Sequence, residues 1–227
     1  MKSNLKGIIT SEEKSFIKEI SEKYEVKGFL KNLDIFLLKY KAAMQETVTK
    51  LNILNEDFRT RYNRSPIENI VSRIKTPESL IKKMLRNDVN FNFDELEKNI
   101  FDIAGVRIIC SFVSDIYIIA EMIEQNDEFE IVKVKNYVDN PKKSVYRSYH
   151  IIVKVPIYLT TGKEYVNVEN QIRTMAMNFW ASLEHKIKYK YDGNIPIDVQ
   201  LELVECAKSI SDADNKMMNL NDKVHNN

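Results

Sequence analysis

Glycine is scarce in this chain. Only five occur among 227 residues, Gly7, Gly28, Gly105, Gly162 and Gly193, and none lies near another. Walker A loops and Rossmann fingerprints need clustered glycines, because their backbone amides must approach phosphate closely. Both are excluded. A protein of this sequence that handles phosphates must use arginine and lysine side chains and a metal. Cysteine is scarcer still: Cys110 and Cys206 form neither a metal-binding pair nor a disulfide framework. No apolar run reaches the length of a membrane span. The opening MKSNLKGIIT leads at once into the charged SEEKSFIKEI, which leaves no room for a signal-peptide core. A cytoplasmic protein with no membrane attachment is expected. A bias of charge is missing too. With 34 Lys and Arg against 33 Asp and Glu, any anion-binding surface must be a local cluster.

What is present suits a globular protein with a core, either one large domain or one with a helical extension. From about Ser11 to Tyr62 apolar residues recur at helical spacing: Phe16, Ile17 and Ile20, then a longer series from Leu30 through Tyr40 to Leu54. Ser65-Pro66-Ile67-Glu68 carries a cap residue, a proline at the first helical position and a glutamate at the third, which predicts a helix start. Thr76-Pro77-Glu78-Ser79 predicts another, and IVSRIK between them is too short for a helix and reads as a strand. IAGVRIICSFV (103–113) is rich in β-branched residues and predicts a buried central strand. SDIYIIAEMIEQ predicts a helix capped by Ser114, FEIVKVKNYV a strand, NPKK a loop, and SYHIIVKVPIYL a strand ending near Pro156. Thr161-Gly162 marks a hairpin turn into VNVENQIRT. TMAMNFWASLEHKIKY predicts an amphipathic helix, and beyond a turn at Asp192-Gly193 the chain reads as helical to its end. The sum is an α/β (α+β) fold, a mixed sheet of about five strands with flanking helices and helical N- and C-terminal arms. Its expected segments are an arm at 1–64, a core at 65–192 and a helical tail at 193–227.

Four polar clusters sit on or beside these strands. Arg73 and Lys75 lead into a helix bearing Ser79, Lys82 and Lys83, a pattern that suits either an oligophosphate cradle or a solvated basic helix. Asp102 and Arg107 bracket Gly105, and an arginine inside so apolar a strand is hard to explain by packing. Near Lys142, the residues Tyr146, Ser148 and His150 share one face by the strand period of two, although a hydrogen-bonded core histidine is the simpler account of His150. In VNVENQIRT, Val166, Val168, Asn170 and Ile172 fall on one face and Asn167, Glu169, Gln171 and Arg173 on the other. That polar row is either the wet side of a half-covered sheet or the floor of a site. Two carboxylates can hold Mg²⁺, and the metal with the cations can hold triphosphate. This is the equipment of phosphoryl or nucleotidyl transfer.

SRIKTPESLIKKM, DIAGVRIICSFVSDIY, NPKKSVYRSYH and VENQIRTMAMNFWASLEHK resemble the motif series of the RelA/SpoT synthetase domain, and the last two resemble the small alarmone synthetases of the RelQ type. The resemblance runs from roughly Leu33 to Tyr191, in order and with compatible spacing. It implies a mixed sheet related to nucleotidyltransferases, and transfer of pyrophosphate from ATP to the ribose 3′-hydroxyl of GDP or GTP. The products would be ppGpp or pppGpp, the alarmones of the stringent response. Carried over, Arg73 and Arg107 match the arginines that clamp the adenine, and Lys75, Ser79 and Lys83 match groups on the ATP phosphates. Asp102 matches the Mg²⁺ ligand, and Glu169 the carboxylate beside the 3′-hydroxyl, suited to act as base and to help hold the metal. Lys142 matches a lysine on the GDP/GTP phosphates and Tyr146 the tyrosine stacked on guanine, while His150, Gln171 and Asn178 match further acceptor positions.

The resemblance also implies a homotetramer, with single-stranded RNA or (p)ppGpp as candidate regulators. With only His150, His185 and His225, none in a His-Asp pair, no hydrolase domain is expected. Two positions depart from the family. Val145 stands where glycine is usual before the tyrosine, so a differently shaped loop is expected, because β-branched residues disfavour positive φ. Asn170 replaces an aliphatic residue and should need a buried partner. Two rivals remain: a toxin-type member that pyrophosphorylates adenine nucleotides or the tRNA 3′ end, and an idle nucleotide- or RNA-binding module.

Overall fold

The structure is a computed structural model that describes residue 16, residues 27–191 and residues 195–225. Its centre is a five-stranded mixed sheet in the order β1-β2-β5-β4-β3. The strands are β1 (Asn69–Ile74), β2 (Ala104–Cys110), β3 (Glu130–Asn136), β4 (Tyr149–Leu159) and β5 (Gly162–Thr174). β2 and β5 run parallel and the other neighbours antiparallel. Six helices accompany them among the described residues: α1 (Lys27–Tyr62), α2 (Pro77–Arg86), α3 (Phe93–Asn99), α4 (Val113–Glu124), α5 (Met175–Lys190) and α6 (Ile197–His225). The mixed α/β architecture expected from the sequence is present.

Register places the core on one side of the sheet. Opposite Ile172 stand Ile108 on β2 and Tyr149 on β4, and opposite Val168 stands Val153. α1 lies across this apolar face, contributing Phe29, Leu33, Phe36, Tyr40, Ala43 and Leu51 to a core shared with Ile116, Ile119 and Ile123 of α4. A helix of 36 residues with one buried stripe is held by such packing more than by propensity. The helical pattern expected over Ser11–Val26 lies outside the described residues except Phe16, which packs near Ile81. The turn expected at Asp192-Gly193 lies outside them as well.

Three local expectations are corrected. Ser65-Pro66-Ile67-Glu68 starts no helix. Ser65 Oγ donates to Asn55 Oδ1 and to Ile67 O, both at 2.9 Å, and Glu68 N donates to Ile109 O at 2.8 Å. Those partners on α1 and β2 draw the segment out as an extended lead-in to β1, against its capping pattern. Ser114 does not cap α4. The carboxylate of Asp115 accepts from Phe112 N at 3.1 Å and from Arg64 Nη1 at 2.5 Å, charge-assisted bonds that a hydroxyl cannot match. β4 does not stop near Pro156 but runs on to Leu159. Its last partner on β3 is at Lys154, so the proline sits where β4 is paired on one side only and its missing N–H is tolerated. Thr76, by contrast, caps as its sequence predicts, its hydroxyl accepting from Ser79 N at 3.2 Å.

Candidate active site

The opposite face of the sheet forms the site. Two cross-strand rows define it. Arg73, Gly105 and Glu169 are aligned on β1, β2 and β5, and Val71, Arg107, Gln171 and His150 are aligned one pleat further along. Between them opens a cleft lined by Arg73, Asp102, Gly105, Arg107, Glu169 and Gln171. A Cβ at Gly105 would come no closer than 4.0 Å to Arg73 O, so the backbone tolerates a side chain there. Its absence keeps the cleft floor open between Arg73 and Glu169.

Asp102 stands at the mouth of β2. Lys83 Nζ, in the last turn of α2, donates to its Oδ1 at 2.7 Å, and Lys75 Nζ lies 3.0 Å from its Oδ2. Burial pushes this carboxyl upward, but the two ammonium groups outweigh it and hold it below its ordinary value. Glu169 is treated alike. Burial raises it, while His150 Nδ1 at 3.1 Å from Oε1 and Gln171 Nε2 at 2.7 Å from Oε2 bring it below the usual carboxylate range. Both acids are therefore ionised at neutral pH. They sense each other, the charge of Asp102 acting to raise Glu169.

A closed ring of hydrogen bonds surrounds Glu169. His150 Nε2 meets the Tyr146 hydroxyl at 2.9 Å, Arg173 Nη2 donates to that hydroxyl and to Gln171 Oε1 at 2.7 Å, and Gln171 returns to Glu169. Arg173 Nε reaches Ser148 Oγ at 3.2 Å, and that hydroxyl donates to Ile172 O. Tyr137 closes one side, its ring edge-on to Tyr146 and His150, with Lys142 Nζ 4.6 Å from its centroid and 4.8 Å from that of Tyr146. The sequence named Arg173 as a member of the polar row but gave it no role, and nothing local marks Tyr137.

The cations exceed the acids free to meet them. Among the described residues neither Arg73, Arg107 nor Arg173 pairs with a carboxylate, since Asp102 and Glu169 are already engaged. Arg173 is 4% exposed, and Arg107 Nε is buried without a hydrogen-bond partner. Burial lowers the pKa of Arg107, and the charges of Arg173 and Arg73 lower it further. Cations held together against their own repulsion suit an anionic ligand.

Of the twelve residues matched above to positions of the family, ten join this arrangement. Arg73, Asp102, Arg107, Glu169 and Gln171 line the cleft, Lys75 and Lys83 join through Asp102, and Lys142, Tyr146 and His150 through the ring. Ser79 is exposed, its hydroxyl bonded to Thr76. Asn178 sits in the first turn of α5 with its Oδ1 buried and unbonded. Neither touches the network.

Both departures resolve against expectation. Val145 adopts φ 60°, the conformation a glycine would take, so the loop keeps a glycine-like shape at a cost of about 1–3 kcal/mol. Asn170, 1% exposed between Val106 and Ile151, has neither polar atom hydrogen-bonded. No partner has been built for it, because its neighbours on the core face are aliphatic.

Comparison with known proteins agrees with this geometry. Residues 72–194 match the family described as the region found in RelA / SpoT proteins. The chain is 44% identical over 188 residues to GTP pyrophosphokinase YwaC of Bacillus subtilis, covering 83% of this chain and 90% of that one. Small alarmone synthetase 1 of Bacillus subtilis, in a crystal structure bound to its product pppGpp, superposes with a TM-score of 0.79 at 39% identity, covering 86% and 98% of the two chains. The same enzyme bound to AMPCPP gives a TM-score of 0.75 at 37% identity, covering 87% and 100%.

Proposed function

This chain belongs to the RelA/SpoT family, and on that premise we propose that it is a small (p)ppGpp synthetase without hydrolase activity. It transfers pyrophosphate from ATP to the ribose 3′-hydroxyl of GDP or GTP. The observation that carries the reading is the ionised Glu169 at the junction of a cation-lined cleft and an aromatic, hydrogen-bonded wall. Relatives of this size bind pppGpp in one structure and the ATP analogue AMPCPP in another.

A ribose hydroxyl is a weak nucleophile at neutral pH and needs a base within hydrogen-bond reach. Glu169 takes the hydroxyl proton, the 3′-oxygen bonds to the β-phosphorus of ATP, and the bond from that phosphorus to the α-phosphate oxygen breaks, releasing AMP. Arg73 and Arg107 hold the adenine, and Lys75 and Lys83 the donor phosphates. On the acceptor side Tyr146 stacks on guanine and Lys142 meets the phosphates. For Ser79 and Asn178, which stand outside the hydrogen-bonded network, a role on the donor phosphates and on the acceptor rests on the resemblance alone. His150 and Gln171 fix the carboxylate of Glu169, and Arg173 fixes Gln171 and Tyr146 in turn.

A divalent cation, Mg²⁺ in our reading, would be held by Asp102 and Glu169. Both residues line the one cleft, and carboxylate oxygen is the donor type that Mg²⁺ prefers. Among the described residues no cluster of three or more potential ligands occurs, so phosphate oxygens and water would complete its shell. When bound it would neutralise charge on the transferring phosphates. Segments 1–64, 65–192 and 193–227 would serve as N-terminal arm, synthetase core and oligomerisation tail. No described helix is long and apolar enough to cross a membrane, and we place the enzyme in the cytoplasm. The test is incubation with ATP, Mg²⁺ and either GDP or GTP, with products separated by chromatography. AMP with ppGpp or pppGpp is expected. Product from adenine nucleotides or tRNA alone would favour the toxin-type reading.

A further inference from the structure

Val145 holds a strained conformation, and its surroundings explain what sustains it. A β-branched residue at φ 60° is unfavourable unless other contacts compensate. Here the side chain packs with Tyr146 and Ile210 on the buried cluster of Trp180, Ala181 and Ala207, where α5 meets α6. The loop around it is closed by Val145 N to Lys142 O at 2.8 Å and Lys142 N to Tyr146 O at 3.2 Å. On its far side Arg147 donates from Nη1 to Ser211 Oγ on α6 at 2.6 Å, and from Nε to Val138 O at 3.2 Å. α6 is fastened in turn to the end of β5, where Thr174 Oγ1 donates to the buried Asp214 at 2.7 Å, and to α5, where Trp180 Nε1 donates to Leu203 O at 3.1 Å. A chain of contacts therefore runs from the C-terminal helix to the residue beside Tyr146.

We propose that Val145 is a positioning residue: it anchors the 142–147 loop on the α5–α6 pair, so that the C-terminal helix sets where Tyr146 stands and hence how tightly the guanine nucleotide is held. This rests on the reading of Tyr146 as an acceptor contact. A glycine at this position would take the backbone shape freely but would have no side chain to grip the helices. In this chain the grip is gained and backbone ease is given up.

The test is steady-state kinetics of the full-length enzyme, varying GDP and ATP separately, for Val145→Gly, Ile210→Ala on α6, the double variant and Tyr146→Ala. Val145→Gly should raise KM for GDP about fivefold to tenfold, the scale of losing one or two buried methyl groups, with kcat and KM for ATP within about twofold. Ile210→Ala, on α6 in the same packing, should act in the same direction, and the double variant should do little more than the stronger single one. Val145→Ala, which keeps the strain and loses most of the grip, should melt below Val145→Gly. If Tyr146→Ala raises KM for GDP and Val145→Gly does not, the anchoring proposal fails. Equal losses toward both nucleotides would also overturn it, marking a general folding role. If Tyr146→Ala leaves KM for GDP unchanged, the acceptor reading itself is wrong.

Discussion

His150 Nδ1 lies 3.1 Å from Glu169 Oε1, and the other ring nitrogen of His150 meets the Tyr146 hydroxyl at 2.9 Å. One imidazole thus links the proposed base to the proposed guanine contact. Its Glu169 bond spans the neighbouring strands β4 and β5, and its own position opposes Gln171, the second partner of that carboxylate.

Glu169→Gln tests the base directly. Glutamine keeps the size and most hydrogen bonding but cannot accept the proton, and it removes one negative charge from the metal site. Turnover should fall at least ~10²-fold, the lower end for losing a general base, while folding and guanine-nucleotide binding persist. Turnover within a few-fold of wild type would mean that Glu169 is only a sheet residue.

The pH profile tests what holds Glu169 ionised. Its pKa is depressed below the ordinary 4.5, so the working carboxylate is present above that range and is lost as pH falls through the lowered value. His150→Ala removes the largest of the depressing contacts and leaves burial, which raises the pKa. The acid limb of kcat/KM should therefore move to higher pH in the variant. An acid limb that stays in place would separate His150 from the ionisation of Glu169.

Arg107 tests the donor side. Its guanidinium lines the cleft with Nε buried and unbonded. Arg107→Ala should weaken ATP binding by roughly 1–3 kcal/mol, the scale of a desolvated cation–π or charge-assisted contact. Unchanged affinity in titration calorimetry would remove Arg107 from the ATP site.

Asn170 is a liability of the fold. Both its polar atoms are buried and unbonded on the core face, away from the cleft. Asn170→Val should stabilise by about 1–3 kcal/mol, the cost of leaving a buried polar group unsatisfied. A higher urea midpoint with an unchanged slope and wild-type turnover is expected. A lower midpoint would show that valine loses more in packing than it gains.

Assembly is testable by mass. Ile197, Leu201, Met217 and Val224 on α6, and Ile35 and Leu38 on α1, are each more than half exposed, apolar side chains that neighbouring copies would cover in an assembly. A homotetramer is the expected state, and a single-chain mass by light scattering at micromolar concentration would overturn it.

Sequence by itself determined whatever depends on neighbours along the chain. The alternation in VNVENQIRT fixed which side of β5 meets the core, because a strand turns successive side chains to opposite faces, and Glu169 and Gln171 of its polar row do line the cleft. Thr76 capped its helix because a cap needs only an amide three residues away. Tertiary structure decided the rest. Ser65 carried an equally good capping pattern and lost it to Asn55, ten residues back on α1. Val145 took the backbone shape its type disfavours because helices from far down the chain hold its side chain. Strand register brought His150 within hydrogen-bond reach of Glu169, 19 positions on, and the packing of the 142–147 loop against α5 and α6 brought Tyr146 to Arg173, 27 positions on. Local propensities differ by about 1 kcal/mol or less per residue, so buried contacts between distant segments outweigh them wherever the two conflict.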